Sequence, residues 1–171
     1  MISKIESDVF VDGNLRARTF TLPAGTVGDA EVKAAAGIAA TKLRHQHALV
    51  YRQAGGLDVV AANVPLYTVR GVAATVVDVE VVGLVAPAGG DKAFTIDLQK
   101  CNQAAPAPVS LLQSVISYDA TRGDCETVQG TITTAALADG DTLVANVAVS
   151  GLTGSQGQGL VVTVTLREDA E

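Results

Sequence analysis

The two histidines of this chain, His45 and His47, stand one residue apart, at the end of the cluster Lys42-Leu43-Arg44-His45-Gln46-His47. In an extended segment, positions i and i+2 face the same side, so both rings would point one way. Arranged about the axis of a homotrimer, three such pairs would offer six imidazoles, enough for an octahedral transition metal. The competing reading is a basic, partly polar segment that lies on an acidic surface. That docking reading is adopted here, with no cofactor expected and the His45/His47 metal site kept as the alternative.

Other chemistry is harder to assemble. Nucleophilic hydrolysis needs a His beside a Ser or Cys, and both imidazoles sit among cations. Glycosidase chemistry needs two facing carboxylates. Asp78 and Glu80 point to one face of a strand, and Asp139 and Asp141 flank a turn, which is ordinary strand-edge and turn chemistry. Gly154-Ser155-Gln156-Gly157-Gln158-Gly159 has the glycines of a phosphate loop but lacks the Lys-Ser/Thr pair, and no helix pattern follows it. It reads as a flexible connection. No catalytic residue is assigned, and an enzyme is not expected.

The elements that would position these residues divide by charge. Residues 1–52 carry seven Lys/Arg against five Asp/Glu, whereas residues 53–171 carry five against thirteen. The net charge is thus +2 on an N-terminal arm and −8 on the body, within the chain's −6. In the arm, Val9, Val11 and Leu15 flank the turn pair Asp12-Gly13. Phe20 and Leu22 then fall on the opposite parity, a slip that a sheet with one buried face tolerates poorly. Residues 29–43 fit a helix capped by Asp29. Its Val32, Ala36, Ala39 and Leu43 follow the spacing of a coiled-coil seam. Gly37 costs this helix about 1 kcal/mol relative to Ala, so it forms only against a partner, and the seam predicts a homotrimer, with a dimer as the alternative.

Beyond Leu57 the period is two. Val77, Val79 and Val81 alternate with Asp78 and Glu80, and Phe94, Ile96 and Leu98 with Thr95 and Asp97. The same holds for Leu143 to Val149 and for Leu160 to Leu166. Residues 58–69, 108–118 and 125–133 are further strands. Turn signals at Pro87-Ala88-Gly89-Gly90, Thr121-Arg122-Gly123-Asp124 and Asp139-Gly140-Asp141 separate them. Seven or eight strands at this spacing predict an all-β fold, an antiparallel β-sandwich behind an extended arm with a short helical or irregular segment.

Composition narrows the function. Phe and Tyr number three each and Trp is absent, so the core must come from aliphatic residues, and such thin packing favours stability shared between subunits. The acidic body argues against nucleic acid, whose phosphates need a positive surface. The uncharged run from Thr142 to Leu166 is long enough for a bilayer but is broken by a Gly/Ser/Gln loop, so no membrane span is expected. Charge interrupts Met1 to Asp8 before any apolar signal core forms. Cys101 and Cys125 are therefore expected as free thiols.

The segment from Ala30 through Ala34-Ala35-Ala36-Gly37-Ile38-Ala39-Ala40-Thr41-Lys42-Leu43 to His45-Gln46-His47 resembles one common in head-fibre and capsid-decoration proteins of tailed bacteriophages. Val128-Gln129-Gly130-Thr131-Ile132, Leu137-Ala138-Asp139-Gly140-Asp141 and Gly157 to Glu168 are similar to the jelly-roll ends of the same proteins. Gly37 departs from the pattern, where a more helix-prone residue is usual. The resemblance implies a jelly-roll-like structural virion protein, made in the host cytoplasm, that cements the outside of the assembled head. Its partner would be the major capsid protein, with contacts at Arg16, Arg18, Lys42, Arg44, His45 and His47. The alternative is a receptor- or glycan-binding module of a tail fibre, since jelly rolls also serve as lectins. Sugar-stacking aromatics are scarce for that role, and a secreted carbohydrate-processing enzyme ranks third for want of site residues.

Overall fold

The computed structural model of the protein describes residues 45–168. Ten strands run through them: β1 (His45–Arg52), β2 (Ala62–Thr68), β3 (Ala74–Val85), β4 (Ala93–Cys101), β5 (Val109–Ser110), β6 (Ile116–Tyr118), β7 (Thr127–Gln129), β8 (Ala136–Leu137), β9 (Thr142–Ser150) and β10 (Gln158–Glu168). No helix occurs among the described residues. The helical stretch 29–43, its seam Val32, Ala36, Ala39 and Leu43, and the Asp12-Gly13 hairpin lie outside them.

Two antiparallel five-stranded sheets result. One has the order β1-β10-β3-β7 with β8 also on β3; the other has β2-β9-β4-β5 with β6 also on β4. Alternation drives both. Val79 and Val81 of β3 and Leu160, Val162, Val164 and Leu166 of β10 are buried from the first sheet. Phe94, Ile96 and Leu98 of β4 and Leu143, Ala145 and Val147 of β9 are buried from the second. All but Ala145 join one hydrophobic cluster, which makes the arrangement β-sandwich-like, with two inner faces sharing a core. Phe94 stacks on Tyr118 at 4.9 Å and 7°. The Tyr118 hydroxyl lies 2.7 Å from Gly123 O and 3.1 Å from Glu126 O, so the one large aromatic pair of the core also ties down the β6–β7 turn. Burial pushes that phenol upward from its ordinary pKa.

Three sequence expectations change. The charge break at residue 52 is not where the fold begins, because all eight residues of β1 pair with β10, from His45↔Glu168 to Arg52↔Val161. Antiparallel pairing depends on backbone and on the apolar Leu49 and Tyr51, to which the sign of neighbouring side chains is irrelevant. Val77 is not an inward residue: β10 pairs Thr165 with Asp78 and Leu166 with Val76, so Val77 is the extra residue of a bulge and is exposed. The strands expected at 108–118 and 125–133 shrink to β5, β6 and β7.

The turns 53–61, 86–92, 119–126 and 151–157 gather at one end. Val59 N donates to Gly157 O, Ala88 and Ser155 exchange backbone hydrogen bonds, and Ala86 N donates to Asp124 Oδ1. The glycine-rich loop is thus a fitted part of this end rather than a flexible connection. Asp91 fastens it: its Oδ1 accepts from Leu152 N at 3.0 Å, Thr153 N at 2.8 Å and Thr153 Oγ1 at 2.7 Å. The Thr153 hydrogen bonds, backbone then hydroxyl, followed by that of Leu152, lower the Asp91 pKa to about 2. A lowered folded-state value means stabilisation that is complete above the ordinary 3.8 and is lost as pH falls through about 2. Asp91→Asn is therefore expected to flatten the acid limb of a stability-versus-pH curve in that window, measured by urea midpoints.

Candidate functional site

At the opposite end the chain enters at His45 and the last strand leaves at Glu168, and here the sequence-selected histidines stand. Because β1 is extended, His45 and His47 share a face, with rings 6.4 Å apart and 18° from parallel. His47 in turn lies 6.4 Å from Tyr67 of β2, at 24°. Glu168, beside His45 in the ladder, completes the group. Its Oε1 accepts from the Tyr67 hydroxyl at 2.6 Å, and its Oε2 is 3.5 Å from His47 Nε2. Tyr67 belongs to one sheet and Glu168 to the other, so this contact bridges the two sheets at the root of the N-terminal segment.

The electrostatics follow from that bridge. The Tyr67 hydroxyl, more than the neighbouring His47, holds the Glu168 carboxyl below its usual range. Reciprocally, hydrogen bonding to Glu168 raises the Tyr67 phenol. Tyr67→Phe is expected to cost about 1 kcal/mol, a hydrogen bond to a charged but half-exposed acceptor. It should also return the Glu168 titration, followed by NMR, toward the ordinary glutamate value.

Among the described residues no group of three His, Cys, Asp or Glu side chains has the placement of metal ligands. His45 Nε2 is shielded and meets no hydrogen-bond partner among the described residues. Within the described residues the His-Gln-His pair forms a stacked pair of rings that continues to Tyr67. Arg16, Arg18, Lys42 and Arg44 lie outside the described residues. The expected carboxylate pairs disperse: Asp78 accepts from Val79 N, Glu80 from Gln129, and Asp139 from Gly71 N. Cys101 and Cys125 are both free thiols.

Asp141 is the carboxylate whose role the sequence concealed. It is 3% exposed and accepts from Asn102 Nδ2 at 2.7 Å, Ala138 N at 3.0 Å and Lys100 Nζ at 3.2 Å. Burial pushes its pKa up, but those three donors outweigh it and the net shift is downward. Lys100 also reaches Ala136 O, so the cluster locks three chain segments and is fully occupied by structural bonds. At the loop end, Gln53 clamps Val60 both ways, at 2.8 Å each, around an open hollow of about 670 Å³ lined by Ala54, Gly56, Leu57 and Asp58.

The fold and these clusters define an all-β, two-sheet protein with a fastened loop end and a His/Tyr/Glu bridge at its chain-entry end. Compared with known protein families, curated proteins and solved structures, the chain matches none.

Proposed function

We propose that this chain is a capsid-decoration protein of jelly-roll type, attached to the outside of a tailed-phage head through residues N-terminal to His45. Strand order supports the jelly-roll part of this reading. With β5/β6 and β7/β8 each taken as one interrupted strand, the eight-strand path 1-8-3-6 over 2-7-4-5 is that of two interleaved Greek keys. Such an order supports a jelly-roll reading, a fold recurrent in viral capsid proteins and lectins. The fold alone does not select a function; the Ala-rich, Lys-Leu-Arg-His-Gln-His segment supplies the decoration reading.

The polarity of the molecule supports it. The chain enters the fold at the His45/Glu168 end, and the four fastened turns lie at the other. An N-terminal anchor would present those turns outward. Residues 1–44 carry six Lys/Arg against five Asp/Glu on an otherwise acidic chain, which suits them to an acidic shell. A cement protein that binds only assembled shells stabilises them by linkage, and several weak contacts per oligomer add avidity. No catalytic role is proposed.

The lectin alternative gains little from the aromatics. Tyr118 and Phe94 are fully buried, and Tyr51 and Tyr67 pack against the core. The test is electron microscopy of heads incubated with the protein. Decoration of the head surface by the intact chain, lost on removal of residues 1–44, is the expected result. Binding confined to the tail, or undiminished head binding by the shortened chain, would overturn it.

A further inference from the structure

Among the described residues, every edge of the two sheets but one is blunted. Strands β5, β6, β7 and β8 are two or three residues long. β2 carries Pro65 and an irregular register between Pro65 and Tyr67. These are the devices by which sheets avoid pairing with one another. β1 has none: eight residues, no proline, no lysine, no acid and no bulge, at the end of its sheet.

The free groups of this edge can be assigned. Gln53 N donates to Leu160 O, and in an antiparallel ladder bonded pairs alternate with non-bonded ones. The odd residues of β1 therefore bond to β10. The N–H and C=O groups of Gln46, Ala48, Val50 and Arg52 point away from the sheet, and all four residues are exposed.

We infer that β1 is an interaction surface for a second copy of this chain, pairing antiparallel with that copy's β1 about a two-fold axis at Leu49. In that register all four free residues are used: Gln46 faces Arg52 of the other copy and Ala48 faces Val50, each pair exchanging two backbone hydrogen bonds. On the inner face Leu49 meets Leu49 and His47 meets Tyr51. Shifting by two residues in either direction leaves Arg52 or Gln46 outside the ladder. The charge pattern selects the direction. Arg52, the edge's one permanent charge, meets an amide in the antiparallel pair and another Arg52 in a parallel one. The result is a continuous ten-stranded sheet across two copies. Such an isologous contact closes at two, so this surface gives the dimer rather than the homotrimer the seam suggested. The inference does not depend on the decoration reading.

Light scattering on the intact chain is expected to give twice 17.4 kDa. Amide hydrogen exchange should slow at least about 100-fold at Gln46, Ala48, Val50 and Arg52 relative to unprotected amides. The double variant Ala48→Pro/Val50→Pro removes two outward donors and none that bonds to β10. It should be monomeric while the His47, Leu49 and Tyr51 amides stay protected. A monomeric or trimeric intact chain overturns the inference. So does a dimer in which the four amides exchange freely, or a folded proline variant that remains dimeric. If the four amides are protected in a monomer, the chain's own N-terminal residues or a different strand cover the edge, and the inference again falls. Should the proline variant fail to fold, mass and exchange of the intact chain decide alone.

Discussion

A chain that begins at His45 is expected to melt cooperatively within a few degrees of the intact protein, whereas one that begins at Gln53 is expected not to fold. The eight residues between them are β1, and every one is paired with β10. β10 is central to its sheet, and Val162, Val164 and Leu166 are fully buried. Losing β1 turns their strand into an edge and removes Leu49 and Tyr51 from the core's rim. Partial burial of two such side chains is worth about 1–2 kcal/mol each. The cross-strand hydrogen bonds of the odd residues contribute about 1 kcal/mol apiece. Together these approach the whole stability of an ordinary domain, about 5–15 kcal/mol. Circular dichroism and thermal melts of the two truncations measure the difference directly. A chain from Gln53 that melted like the intact protein would place β1 outside the cooperative fold and return the boundary to the charge break.

That boundary shows what composition conceals. β3, β4, β9 and β10 are legible because apolar residues recur every second position through strands of nine or more residues. β1 alternates too, but its inner face reads His45, His47, Leu49, Tyr51, and it continues a basic run, so its composition resembles the segment before it more than the other strands. The Val77 bulge was hidden because Val77-Asp78-Val79 is as regular as any strand. The extra residue becomes visible only when Thr165 and Leu166 are seen to pair with Asp78 and Val76. The site residues missed share another cause. Tyr67 and Glu168 are 101 residues apart, Lys100 and Asp141 are 41 apart, and Asp91 and Thr153 are 62 apart. No local spacing encodes those contacts; the sheet order makes them. The His45/His47 pair was legible as two rings on one face, because that follows from strand geometry alone.

Gly154→Ala is expected to destabilise the protein by at least about 3 kcal/mol, and Gly56→Ala by only about 1 kcal/mol. Both glycines have positive φ, +92° and +80°, so each substitution carries the left-handed backbone penalty. They differ in surroundings. A Cβ at Gly56 would meet nothing within 4 Å, whereas one at Gly154 would lie 2.5 Å from Ala88 O and 2.8 Å from Gly90 N. Those are backbone atoms that cannot rotate aside. Retreat of the 86–92 turn would break the paired Ala88–Ser155 bonds and draw Asp91 away from Leu152 and Thr153. The cost of Gly154→Ala should thus contain most of the Asp91 contribution. In a double-mutant cycle, Asp91→Asn should add little to Gly154→Ala although it is harmful alone. Urea midpoints of the four proteins at pH 7 supply the cycle. Strict additivity would mean that the two turns are fastened independently, and a Gly154→Ala cost no larger than that of Gly56→Ala would mean that their backbones are free to separate.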